Sequence, residues 1–156
     1  MNKIIVQTRK GNDVDNSQNM EISSYETNLL RELENSVERK FGGERRNNAS
    51  TVYNCHGLTF ASRRTGIYDI QEIHKILKED DYDEILESDV MPGDIVVYFS
   101  ENGDIEHSGI VISKGEPPLN IPKIVSKWGH AGFEVIHYVN RSPYSAIKIS
   151  YYRINK

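Results

Sequence analysis

The sequence predicts an α+β domain, with helices in its first half and an antiparallel sheet in its second. Three observations carry that expectation. Between residues 28 and 43 apolar side chains recur at helical spacing and stop at a glycine pair. From Pro92-Gly93 onward the chain changes to short runs rich in Val, Ile and Tyr, separated by turn residues. A length of 156 residues, 37% hydrophobic and 27% charged, suits one compact domain whose core needs no disulfide or structural metal. A single domain over 1–156 is expected, with its core at about residues 24–153.

In chain order, Lys3 to Thr8 reads as a short strand, and residues 11–19 as a polar stretch without a period. The first 20 residues are thus expected to be an added strand or a partner-binding arm. Leu29, Leu30, Leu33, Val37 and Phe41 mark an amphipathic helix, with Ser24 or Thr27 as its cap and Gly42-Gly43 as its end. Glu44 to Tyr53 reads as a loop. A second helix is expected from Asn54–Cys55 to about Arg64, stopped by Gly66. A third runs through Ile70, Ile73, Ile76 and Leu77, capped by Asp69. Acidic residues 79–89 read as a solvated connection with a turn at Ile85-Leu86. Strands are expected at 94–99, 107–113, 123–128, 133–138 and 146–153, the first two joined by the turn Glu101-Asn102-Gly103-Asp104.

Net charge is −4, with the signs interspersed. The densest basic cluster, Arg39, Lys40, Arg45 and Arg46, is short and includes Glu44, which argues against nucleic acid as a partner. No stretch approaches the ~18 apolar residues of a spanning helix, so no membrane partner is expected. The apolar run at Ile4–Val6 is far too short for a secretory segment. The expectation is a soluble, cytoplasmic protein, with export by a dedicated machine as an open alternative. Oligomeric state leaves no mark in the sequence.

Cys55 is the one cysteine, so no internal bridge forms and CxxC or zinc-finger arrangements are excluded. Out of context a lone cysteine is more often a small buried residue than a nucleophile. Here it stands at the expected start of a helix, where unpaired backbone N–H groups lower a thiol's pKa and can donate to an oxyanion. Gly57 reads either as a helix-packing position or as a point of close approach by substrate. A thiolate also needs a base. His56 follows Cys55 directly and should point about a quarter turn away. His74 lies on an amphipathic helix as a surface or boundary residue, and His137 alternates with apolar neighbours as a sheet-face residue. His107 opens a strand after a tight acidic turn, where its imidazole can project from the sheet edge toward a helix start.

Three segments in order give these residues a context. Tyr53-Asn54-Cys55-His56-Gly57-Leu58-Thr59-Phe60 resembles the nucleophile motif of the NlpC-type branch of the papain-like superfamily. Met91-Pro92-Gly93-Asp94-Ile95-Val96-Val97-Tyr98 is similar to that family's strand entry. Glu106-His107-Ser108-Gly109-Ile110-Val111-Ile112 is similar to its base-bearing strand. The resemblance covers roughly residues 50–130. It implies a papain-like fold and a cysteine amidase or peptidase working through a thioester. Cys55 would be the nucleophile and His107 the general base. Ser126 would orient the base from the next strand, with His130 and Asn120 as alternatives. Tyr53, Asn54, His56, Gly57 and Trp128, with Arg63 and Arg64, would shape the cleft for a peptide or amide substrate. Relatives often act on cell-wall peptides with γ-D-glutamyl links, and a toxin or effector, a phage lysis factor or a cytoplasmic amidase would fit the same residues. No cofactor or metal is implied. The chain departs from the family in carrying His56 where Ser or Ala is usual. Two other readings stand beside the enzyme: a non-catalytic binding or immunity module on the same scaffold, and a metal site made by Cys55, His56 and a further histidine.

Overall fold

The computed structural model describes residues 2–19 and 21–155. It has three α-helices, α1 (Ser24–Arg39), α2 (Cys55–Phe60) and α3 (Ile70–Glu79). Its seven strands are β1 (Glu44–Arg45), β2 (Tyr82–Ile85), β3 (Ile95–Phe99), β4 (Ile105–Ser113), β5 (Lys123–Lys127), β6 (Glu134–Tyr138) and β7 (Lys148–Ile154). All pairings are antiparallel, in the order β1-β6-β5-β4-β3-β7-β2. The α+β expectation is met.

Alternation along the central strands sends successive side chains to opposite faces, and both faces are covered. On one, Val97, Ile95, Val125, Ile110 and Ile136 meet α2 and α3 through Leu58, Ile73 and Ile76. On the other, Val135, Trp128 and Phe133 meet α1 through Leu30, Leu33 and Val37, while Val96, Tyr98, Val111 and Ile124 form a second cluster with Val139 and Tyr151. Polar residues on β4, β5 and β6 are therefore buried on whichever face they point to. That arrangement makes the site.

Several local expectations change. Helix α1 begins earlier than its apolar stripe, because Ser23 and Glu26 form a reciprocal capping box rather than Ser24 or Thr27 acting as cap. Helix α2 ends at Phe60, four residues short of Arg64, as Ser62 and Arg63 turn into the left-handed region at φ 53° and 65°. The acidic connection contains an edge strand: β2 pairs with β7 from Tyr82↔Ile154 to Ile85↔Tyr151, with Tyr82 and Ile85 half-buried against opposite core clusters and Asp83 and Glu84 exposed between them. Part of the loop after α1 is strand β1, which pairs with β6 through Glu44↔Ile136 and Arg45↔Val135.

The stretch expected as a first strand, Lys3–Thr8, forms a single isolated bridge, Gln7↔Asp13, with Asn2↔Gln18 just before it. It folds back on itself and lies along α3, where Glu79 accepts from Thr8 and Asn12 and Glu72 accepts from the Asp15 amide. Asp69 caps α3 as expected, its carboxylate accepting from the Gln71 amide at 2.9 Å. The Pro92-Gly93-Asp94 entry is a structural staple. Gly93 has φ 97°, and Asp94 accepts from the Met91 amide and from both Nε and Nη2 of Arg153 on β7.

Candidate active site

Asn54 fixes the start of α2. Its Oδ1 accepts from the amides of Gly57 at 2.9 Å and Ile67 at 3.0 Å, and its Nδ2 donates to the Ile67 carbonyl at 2.7 Å. One side chain thus clamps residues 65–67 against the helix. The closeness of that approach requires glycine at 57, since a Cβ there would stand 1.9 Å from the Thr65 carbonyl oxygen. The packing reading of Gly57 therefore has a concrete contact.

His56 is buried and turned to the sheet, with Nδ1 2.7 Å from Ser108 Oγ. A chain of donors can run from His56 Nδ1 through Ser108 Oγ to Thr59 Oγ1 at 2.9 Å, and from Thr59 to the Cys55 carbonyl at 2.9 Å. Burial lowers the His56 imidazole to about 4, so it is neutral at pH 7. Ser108 Oγ is itself 3.5 Å from the Cys55 carbonyl oxygen, so the residue after His107 touches the residue expected to be the nucleophile.

The Cys55 residue is half-buried. Burial pushes its thiol up to about 11, against the opposing pull of the Ser108 and His56 amides and of Lys127. This reverses the expectation of a lowered pKa. The helix-start amides favour the thiolate as argued from the sequence, but the loss of water around the sulfur outweighs them.

His107 is fully buried on β4, beside Tyr98 in the register of β3. Its ring stacks on Tyr144 with centroids 3.8 Å apart and meets Tyr98 edge-on at 5.2 Å. Neither ring nitrogen has a hydrogen-bond partner among the described residues. Burial, with His137 and His56 nearby, holds its imidazole well below the ordinary histidine range. The expected sheet-edge position is corrected: β4 is central, and β4 begins two residues before His107. The β4–β5 pairing starts at Ile110↔Val125, so beside His107 and Ser108 that ladder is open. Gly109 permits the close approach just above the opening, since a Cβ there would lie 2.7 Å from the Val125 carbonyl oxygen.

Ser126, expected to orient His107, is bonded elsewhere. Its Oγ lies 2.7 Å from His137 Nε2 and accepts from Trp128 Nε1 at 3.2 Å. His137 Nδ1 is 2.7 Å from the Tyr138 carbonyl, which fixes the proton on Nδ1 and makes Ser126 the donor to Nε2. Trp128 is fully buried, edge-on to Phe41 at 5.4 Å. Of the alternatives, His130 pairs through Nδ1 with Glu26 at 2.7 Å and accepts from Asn19 at 2.9 Å, while Asn120 is an exposed loop residue at φ 51°.

Tyr53 and Arg63 converge on Glu134 of β6. Tyr53 donates to Oε2 at 2.5 Å, and Arg63 donates to Oε2 at 2.6 Å and Oε1 at 3.1 Å. Burial acts against that carboxylate, yet these bonds hold it below its ordinary range. Arg64 is exposed. Sequence reasoning did not single out Ser108, Lys127, Glu134 or Tyr144. The first three are polar residues within strands, and only the covering of both sheet faces puts them inside.

Among the described residues, no group of three His, Cys, Asp or Glu side chains is placed to hold a metal ion, and no helix is long and apolar enough to cross a membrane. The fold and site define an α+β protein with a half-buried cysteine at a helix start and a sealed imidazole on the adjoining strand. Comparison with protein-family models, with curated proteins and with solved structures finds no match.

Proposed function

We propose that this chain is a papain-like cysteine amidase or peptidase of the NlpC type, with Cys55 as nucleophile and His107 as general base. The observation that carries this reading is the state of His107. A buried polar group without a hydrogen bond costs on the order of 1–3 kcal/mol, and this imidazole has none, to Cys55 or to any other described residue, while the next side chain, Ser108, points to the α2 face and touches the Cys55 carbonyl.

With the thiol raised and the imidazole lowered, the resting pair is neutral. His107 takes the Sγ proton as sulfur attacks the carbonyl carbon, and the amides of Cys55, His56 and Ser108 face the sulfur side, where an oxyanion would develop. The C–N bond then breaks, and the imidazolium returns the proton to the leaving amine. Water, deprotonated by His107, cleaves the thioester and regenerates the thiol. In place of Ser126, the Tyr144 stack holds the ring orientation.

Peptides carrying a γ-D-glutamyl amide are the first substrates to test. The reading predicts a new amine terminus released by wild type and absent with Cys55→Ala; equal release by both would sink it. A second reading, a binding or immunity module on this scaffold, is favoured by the raised thiol and the sealed imidazole. It predicts no acyl adduct at Cys55 with any activated ester.

A further inference from the structure

Helix α2 is six residues long and begins at Cys55, so its seat on the sheet decides where the thiol stands. Its flanks are tied to other parts of the fold: Asn54 clamps residues 65–67, and Tyr53 and Arg63 converge on Glu134 of β6. Toward β4, the strand of His107, the apolar packing places Leu58 in one cluster with Ile110 and Ile112. Apolar contact is non-directional and leaves a short helix free to slide. A hydrogen bond fixes both distance and direction. Among the described residues, every side-chain hydrogen bond between α2 and β4 involves one atom, Ser108 Oγ.

That hydroxyl is fully buried, and three short contacts run through it or beside it. His56 Nδ1 to Ser108 Oγ is 2.7 Å, Ser108 Oγ to Thr59 Oγ1 is 2.9 Å, and Thr59 Oγ1 to the Cys55 carbonyl oxygen is 2.9 Å. Three hydrogens serve these contacts, and one direction satisfies them all. The carbonyl can only accept, so Thr59 donates to it. Thr59 Oγ1 then accepts, and Ser108 donates. Ser108 Oγ accepts in turn, and His56 donates from Nδ1. Reversing the chain at His56 would leave two oxygens 2.9 Å apart with no hydrogen between them. Burial keeps His56 neutral at pH 7, so its Nε2 carries no proton.

We propose that Ser108 is a positioning residue for Cys55: its hydroxyl, held between His56 and Thr59, fixes the start of α2 on β4 one residue along the strand from His107. The inference rests on the nucleophile reading and adds what sets the placement of its two members. It assigns Ser108 no contact with substrate. Cys55 and Thr59 stand one turn apart on the same face of α2, so the chain begins on the helix at His56, crosses to the strand once, and returns to the residue that carries the thiol. The histidine at position 56 supplies the first donor of that chain.

The test has a spectroscopic and a kinetic arm. Imidazole ¹⁵N shifts of His56 at pH 7 read its tautomer without assuming any catalysis. The proposal predicts a protonated Nδ1 and a bare Nε2; the opposite tautomer overturns it. The kinetic arm times acylation of Cys55 by an activated ester, per folded molecule, with wild type establishing the nucleophile. Ser108→Ala should slow it by about 10²-fold, the loss that a displacement of about 1 Å brings. Thr59→Val, which keeps the shape and removes the hydroxyl, should also slow it, and Thr59→Ser should restore the wild-type rate. The Thr59 pair decides the matter if Ser108→Ala fails to fold. Wild-type rates in Ser108→Ala and Thr59→Val overturn the proposal, as does equal slowing in Thr59→Val and Thr59→Ser. The predicted tautomer in a wild type that takes no acyl group would discard the enzyme, and the positioning role with it, while keeping the hydrogen-bond chain.

Discussion

Two histidines on one face of the sheet were given opposite treatments. His137 and His107 are both buried, and both are lowered by that burial. His137 uses both ring nitrogens, one on Ser126 and one on the Tyr138 carbonyl, with Trp128 completing the chain. His107 has only rings around it, Tyr144 stacked and Tyr98 edge-on. A fully bonded imidazole has a fixed tautomer and cannot exchange a proton without breaking its network. An imidazole held by stacking keeps its orientation and leaves a nitrogen free. The difference separates a histidine that builds the sheet from one available for chemistry.

Removing each ring in turn separates the two roles. His107→Ala should lower acyl transfer between about 10²- and 10⁴-fold, the range for a lost general acid–base group, while its urea midpoint falls little or rises. His137→Ala should do the reverse, losing stability and keeping the per-molecule rate of the folded fraction. Equal rate losses in the two variants would erase the distinction.

Acid pH acts on both histidines through their burial. His56 and His137 titrate near about 4 in the fold against 6.5 when free, and His107 is also lowered. Below pH 6.5 the unfolded chain takes up protons that the folded chain refuses until about pH 4, so stability should fall with pH across that window. Each of His56 and His137 accounts for roughly 3 kcal/mol at one pKa unit per 1.36 kcal/mol. Urea midpoints measured through the window should lose part of their slope in His137→Gln, with His56 and His107 supplying the remainder. A profile that stays flat in wild type would show the imidazoles to be solvated.

Smaller effects probe the supports. Ser126→Ala leaves Trp128 Nε1 and His137 Nε2 unpaired at a cost of roughly 1–3 kcal/mol, with acylation of Cys55 unchanged. A selective loss of acylation would restore Ser126 as the orienter of His107. Tyr144→Phe keeps the stacked ring and removes the acceptor for the Gly129 amide, a bond of 2.8 Å. It should cost about 1 kcal/mol in thermal or urea unfolding and leave the rate alone.

The sequence carried the helix-then-sheet order because the apolar period changes plainly at Pro92, and Asp69 was readable as a cap because its position before Ile70 is local chemistry. What it hid is non-local. Tyr82-Asp83-Glu84-Ile85 reads as a solvated run until β7 supplies its ladder. Ser108, Lys127 and Glu134 carry no local mark of burial, because alternation cannot tell a solvated face from one covered by a helix. The Ser126 expectation failed as geometry: it alternates correctly with Ile124 and Trp128, but its hydroxyl faces β6, across the ladder from Val135 and within reach of His137.

An activated acyl ester, with mass analysis of the intact protein, reads the Cys55–His107 pair without a natural substrate. Wild type and Ser126→Ala should accumulate one acyl group, located on Cys55, with adduct formation slowed between about 10²- and 10⁴-fold in His107→Ala. Equal labelling with and without His107, or an adduct that forms elsewhere and spares Cys55, would contradict the account.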